Sequence, residues 1–109
     1  MVIFTARIKA FPGKGREAAS RLREMVAAVK AQEENAWAYC CHNAKDNPDE
    51  FLFYEIYADQ AALDVHNQTP HFAKLKELFG DVLDPAAGVQ IETLDIVDGF
   101  FRMPESLNT

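Results

Sequence analysis

The sequence predicts an α+β fold, an antiparallel sheet with helices laid over one of its faces. Three observations lead there. Residues 2–11 alternate apolar with polar side chains; residues 16–34 repeat at helical spacing; and two strand-like runs joined by a turn precede a pair of short helices and a last strand. At 109 residues the chain is expected to form one domain, 1–109, whose folding buries about 65% of the extended surface. Hydrophobic residues make up 49% and charged residues 26%, the balance of a globular protein rather than a disordered one.

In the first run, Phe4, Ala6, Ile8 and Ala10 alternate with Thr5, Arg7 and Lys9, as in a half-buried strand. Pro12, Gly13, Lys14 and Gly15 break it. Ala18, Leu22, Met25, Val26 and Val29 then form the apolar stripe of an amphipathic helix over 16–34, and Asn35 is placed to close it as a left-handed cap. Residues 36–43 read as a second strand, with Trp37, Tyr39 and Cys41 on one face and Ala38, Cys40 and His42 on the other. Asp46, Asn47, Pro48 and Asp49 supply a turn. In a third strand over 50–57, Phe51, Phe53 and Tyr57 share one face and Leu52, Tyr54 and Ile56 the other, so both faces need cover. Asp59 can cap a short helix that runs to His66. Thr69 and Pro70 read as N-cap and first residue of another helix, with Phe72, Leu75, Leu78 and Phe79 turned inward. A loop over 84–88 leads to a fourth strand over 89–97. The tail, about 98–109, carries Phe100, Phe101 and Met103, which could dock on a neighbouring subunit.

The order β-α-β-β-α-β is the split βαβ, ferredoxin-like pattern. Its helices cover one face of the sheet. The other face is apolar, and eight Phe, three Tyr and one Trp are many aromatics for this length. Two sheets are therefore expected to pack face to face in a homodimer, enclosing a water-poor chamber against their β surfaces. A net charge of −6 argues against nucleic acid or an anionic membrane as the main partner. No apolar run is long enough to cross a bilayer, and no basic segment precedes the apolar residues at the N-terminus. Cys40 and Cys41 are adjacent, point to opposite strand faces and are not expected to bond. These features point to the reducing cytoplasm.

No glycine-rich phosphate loop, paired CxxC or His-Glu-x-x-His helix occurs, so no metal ligands and no seat for a tightly held cofactor are expected. Chemistry then falls to scattered side chains. Pro70 puts His71 in the first turn of its helix, where the dipole disfavours imidazolium and leaves a neutral base. His66 sits near the end of the preceding helix, where the cation is favoured. The two rings suit acid/base work, or else cap and bridge backbone at the helix break. Glu55 shares a strand face with Phe51, Phe53 and Tyr57. It is either a base with a raised pKa or, more economically, the partner of Arg7 or Lys9 across the sheet. Trp37 and Tyr39 could wall a pocket for a flat aromatic ligand, or serve as core or dimer interface.

The run Phe53-Tyr54-Glu55-Ile56-Tyr57, then Asp59 with Ala61 and Ala62, then His66-Asn67-Gln68-Thr69-Pro70-His71-Phe72 resembles the antibiotic biosynthesis monooxygenase (ABM) family of small dimeric α/β barrel proteins. The stretch from Glu33 to Tyr39 is similar to the family's approach to its second strand, with Asn35 where glycine is usual. The resemblance implies oxidation of phenols and hydroquinones to quinones by dioxygen, without metal, flavin or haem. It makes His71, helped by His66, the proton acceptor, with Glu55 as the third catalytic candidate. Trp37, Tyr39, Tyr54, Tyr57, Phe72 and Arg7 would then contact the small aromatic substrate. Haem-degrading relatives use an Asn on the first strand and a Trp just after the third; residues 3–9 hold no Asn and residues 55–62 no Trp. Two other readings stand beside the oxygenase: an isomerase of a phosphorylated hydroxy-diketone, with Arg7 and Lys9 on the phosphate, and a non-catalytic dimeric ligand-binding domain.

Overall fold

Alternation at the start of the chain produces β1 (Val2–Lys9), which becomes a central strand of the sheet. The computed structural model describes residues 1–104. After β1 come α1 (Gly15–Gln32), β2 (Ala36–Ala44), β3 (Asn47–Tyr57), α2 (Gln60–Asn67), α3 (Pro70–Glu77) and β4 (Gln90–Leu94). The antiparallel sheet has the order β2-β3-β1-β4, which is the expected ferredoxin-like arrangement.

Register decides what each face holds. Phe4, Ala6 and Ile8 lie opposite Glu55, Phe53 and Phe51, and Tyr39 and Cys41 lie opposite Glu55 and Phe53. This inner face takes the apolar stripe of α1: Ala18 and Leu22 join Ala6, Ile8, Phe51, Phe53, Leu78 and Leu83 in the main core. The outer face carries Thr5, Arg7, Leu52, Tyr54, Cys40 and His42, with Ile3 and Ile56 paired and buried.

Local chemistry sets the junctions. Asp49 binds the α1 N-terminus, accepting from Gly13 N at 3.1 Å and Gly15 N at 2.9 Å, a favourable place for a carboxylate. Gly15 cannot be larger, since a Cβ there would stand 2.1 Å from the Pro48 carbonyl oxygen. Asp59 Oδ1 accepts from Ala62 N at 2.9 Å, and Thr69 Oγ1 accepts from Phe72 N at 3.1 Å with Pro70 next in line. Both caps were legible in the sequence.

Four local expectations are corrected. Asn35 is not left-handed; α1 ends on Glu33 (φ −123°), whose N–H donates to Val29 O, and among the described residues Asp46 (φ 67°) is the one non-glycine with positive φ. The turn after β2 is Lys45-Asp46, because Ala44 already pairs with Asn47 and β3 starts there. An irregularity between Ala36 and Ala38 takes Trp37 out of the paired register and leaves it 60% exposed, so it does not share a wall with Tyr39. β4 is shorter than 89–97, and Ile96 and Val97 lie outside it, both exposed. Cys40 and Cys41 are free. No helix among the described residues is long and apolar enough to cross a membrane. Of the tail, residues 105–109 lie outside the described residues; Phe100, Phe101 and Met103 are exposed.

Candidate active site

Four ionisable side chains are buried together where α1, β3, α2 and α3 meet: Glu33, Glu55, His66 and His71. Glu33 sits at the carboxyl end of α1, the wrong pole for a carboxylate. Two imidazoles compensate. His66 Nδ1 stands 3.0 Å from both Glu33 oxygens, and His71 Nε2 stands 2.5 Å from Glu33 Oε2. With the His66 Nδ1–H donating to the carboxylate, a neutral ring presents an unprotonated Nε2 on its other side. That nitrogen lies 3.9 Å from Glu55 Oε1, which accepts the Tyr57 hydroxyl at 2.6 Å.

Burial shifts two members of this cluster, Glu55 and His66. It pushes the Glu55 carboxyl up to about 7; the Tyr57 hydrogen bond works against that rise, and the Glu33 charge adds to it. Burial also lowers the His66 pKa against the opposing pull of Glu33. The expected cation at the end of α2 is therefore corrected to a neutral base, because desolvation outweighs the helix terminus. Burial, followed by the Glu55 charge, raises the Tyr39 and Tyr57 phenols, so both remain proton donors.

Beside the cluster lies a cavity of about 280 Å³ on the helix-covered face of a single subunit, lined by Tyr39, Glu55 and His66 together with Phe4, Phe53, Phe72 and Phe79. This cavity lies between the sheet and the helices of one chain, on the face opposite the one expected to meet a second subunit. Asn67 and Lys76 add polar groups to its edge, with the Lys76 Nζ 5.5 Å over the Phe72 ring.

The predicted residues divide accordingly. His66, Glu55, Tyr39 and Phe72 line the cavity, and Tyr57 holds Glu55 from the side. His71 does not line it; it stands behind Glu33 and faces a separate groove of about 170 Å³ between α1 and α3. Arg7 lies on the outer face, paired with Glu50 at 2.8 Å rather than with Glu55, and Tyr54 lies on the same outer face, opposite Thr5 and Cys40. Sequence reasoning missed Glu33. An acid at a helix carboxyl terminus was the available signal, but its partners are 33 and 38 positions away.

Glu33, His66 and His71 bring a carboxylate oxygen and two ring nitrogens within 4.8 Å of one another, donor types that a divalent ion accepts. The 2.5 Å Glu33–His71 spacing is nevertheless that of a shared proton. Ligands about 2.0–2.2 Å from a common tetrahedral ion stand farther apart than this. The trio is a hydrogen-bonded unit.

A ferredoxin-like sheet with buried ionisable side chains beside an apolar cavity makes this a small α+β protein of the ferredoxin-like class, and the chain belongs to one family of that class. Residues 1–78 match the model of the antibiotic biosynthesis monooxygenase family, so the chain is a member. It is 35% identical over 88 residues to the Bacillus subtilis protein named "Putative monooxygenase YcnE", covering 77% of this chain and 92% of that one. Among solved structures it resembles PA3566 from Pseudomonas aeruginosa, with a TM-score of 0.79, 27% identity and coverage of 89% of this chain and 94% of that one. A protein from Bacteroides thetaiotaomicron, described as a "Putative antibiotic biosynthesis monooxygenase", superposes with a TM-score of 0.82 at 25% identity, covering 94% and 95% of the two chains.

Proposed function

We propose that this chain is a cofactor-independent monooxygenase that converts a phenol or hydroquinone to a quinone with dioxygen, working as a cytoplasmic homodimer. The observation that carries the reading is the 3.9 Å gap between His66 Nε2 and Glu55 Oε1 on the wall of an aromatic cavity. The gap is too long for a hydrogen bond. An aromatic hydroxyl placed in it can reach both atoms at hydrogen-bond length.

His66 then takes the hydroxyl proton on Nε2 while Glu33 accepts the hydrogen bond from Nδ1–H and holds the ring in place. The electron-rich anion passes one electron to dioxygen, and the radical pair combines at a ring carbon. The resulting peroxide anion takes the proton back from His66, and the hydroperoxide so formed loses the ring hydrogen as its O–O bond breaks. One oxygen stays as the new carbonyl and the other leaves as water. Tyr39, held protonated, and Phe72 orient the ring, and the apolar walls keep bulk water from the intermediates.

The isomerase reading is less well supported. Among the residues lining the cavity Lys76 is the one cation, and Arg7 is engaged outside with Glu50. An oxygen-electrode assay over hydroquinones, anthrones and phosphorylated ketones, with metals chelated, tests the choice. The expected result is oxygen uptake matched by quinone formation; conversion of a ketone with no uptake would replace the oxygenase by the isomerase.

A further inference from the structure

We infer that Glu33 and His71 form a proton relay that carries the proton received by His66 out of the apolar cavity to the groove between α1 and α3. The inference rests on the reading of His66 as proton acceptor. A proton kept inside this cavity stays beside the reacting ring. Tyr39 and Tyr57 are buried phenols that only donate, Glu55 can take the proton but holds it at the cavity wall, and a lasting imidazolium at His66 is opposed by burial. On its far side, however, His66 touches Glu33, and Glu33 touches His71.

His71 faces the second space. Its groove is lined by Arg21 and Glu24 of α1 and by Lys74 and Leu75 of α3, and Arg21 and Glu24 pair with each other at 3.6 Å. The charged groups around the relay are thus Glu33, His66 and Glu55 on the inner side and Arg21, Glu24 and Lys74 on the outer side. The chain runs from a chamber with aromatic walls to a groove with charged ones.

The transfers balance at each atom. The substrate proton arrives on His66 Nε2; the Nδ1 proton passes to Glu33 Oε1; the proton already shared between Glu33 Oε2 and His71 Nε2 moves fully onto Nε2; and His71 releases its Nδ1 proton to water in the groove. One proton leaves the cavity and one enters solvent. His66 is left with its proton on Nε2, facing the chamber, where it can be returned to reduced oxygen and replaced through the same chain.

The test is proton exchange in the protein without substrate, measured by NMR on the His66 Nδ1–H of 15N-histidine-labelled samples. His71→Phe keeps a ring of similar size and removes the outer carrier. Glu33→Gln keeps polar contact and removes the group that accepts a proton. Exchange with water is expected to slow by about 10²-fold or more in either variant, the lower end of what a positioned acid or base contributes. A resonance broadened away in the parent that sharpens in the variants is the same result. Equal exchange rates in all three proteins, or a signal absent from all three, would overturn the relay. In turnover, His71→Phe is expected to lower kcat with KM within about twofold, since His71 does not line the cavity; an unchanged kcat also counts against it. A parent protein that consumes no oxygen would sink the proposed function while leaving the exchange result intact.

Discussion

The helix-covered side of the sheet buries four ionisable groups, Glu33, Glu55, His66 and His71, at 8%, 5%, 2% and 7% exposure, while the region from β4 to the tail leaves Ile91, Val97, Phe100 and Phe101 between 62% and 101% exposed. A chain optimised for its own stability would do the reverse, because buried charge costs more than buried hydrocarbon and exposed hydrocarbon forgoes a favourable burial. The two regions answer to different demands. The buried acids and imidazoles satisfy one another beside an apolar cavity, where the proposed proton transfer takes place. The exposed apolar groups have no cover within the described chain, which supports the proposed homodimer.

The sharpest way to break this comparison is to disarm the buried side. His66→Gln is expected to lower quinol turnover by about 10²–10⁴-fold with the fold retained by circular dichroism; activity within a few-fold of the parent would remove His66 from the mechanism. Truncation separates the two sides next. Phe51→Ala in the core is expected to cost about 3–5 kcal/mol in denaturant unfolding, whereas Phe101→Ala should change subunit stability by no more than about 0.5 kcal/mol. On the exposed side, Trp37→Asp combined with Phe101→Asp should shift sedimentation from dimer to monomer. A parent that already sediments as a monomer would refute the dimer.

The smallest effect concerns pH. Glu55 is raised from 4.5 to about 7 on folding, so the native state holds its proton after the unfolded chain has lost it, and this term reduces stability as pH rises through that window. His66 is lowered from 6.5, so below 6.5 the unfolded chain binds the extra proton, and this term raises stability as pH rises. The two slopes oppose. Glu55→Gln should unmask the His66 term, giving a stability that climbs towards pH 6.5 by more than the parent's. A steeper fall with rising pH would contradict the assignment.

Much of the fold was legible because its signals are local. Alternation in β1, the stripe of α1 and the caps at Asp59 and Thr69-Pro70 each depend on residues a few positions apart. The site was legible only in part. Histidines flanking a helix break and a carboxylate on an apolar strand face marked the neighbourhood, but faces and partners depend on register. Arg7 meets Glu50 because both point to the outer face, while Glu55 points inward. Trp37 lost its expected wall to an irregularity in β2 that no composition rule announces. Glu33 became visible only when α1, α2 and α3 were packed, since it is the tertiary arrangement that brings His66 and His71 to its two oxygens.

The most direct measurement is the ionisation state of a nitrophenol bound in the cavity, read by its absorbance below its solution pKa. The account predicts a bound phenolate in the parent protein and a bound neutral phenol in His66→Gln. A neutral phenol in both, or a phenolate that persists without the imidazole, would contradict it.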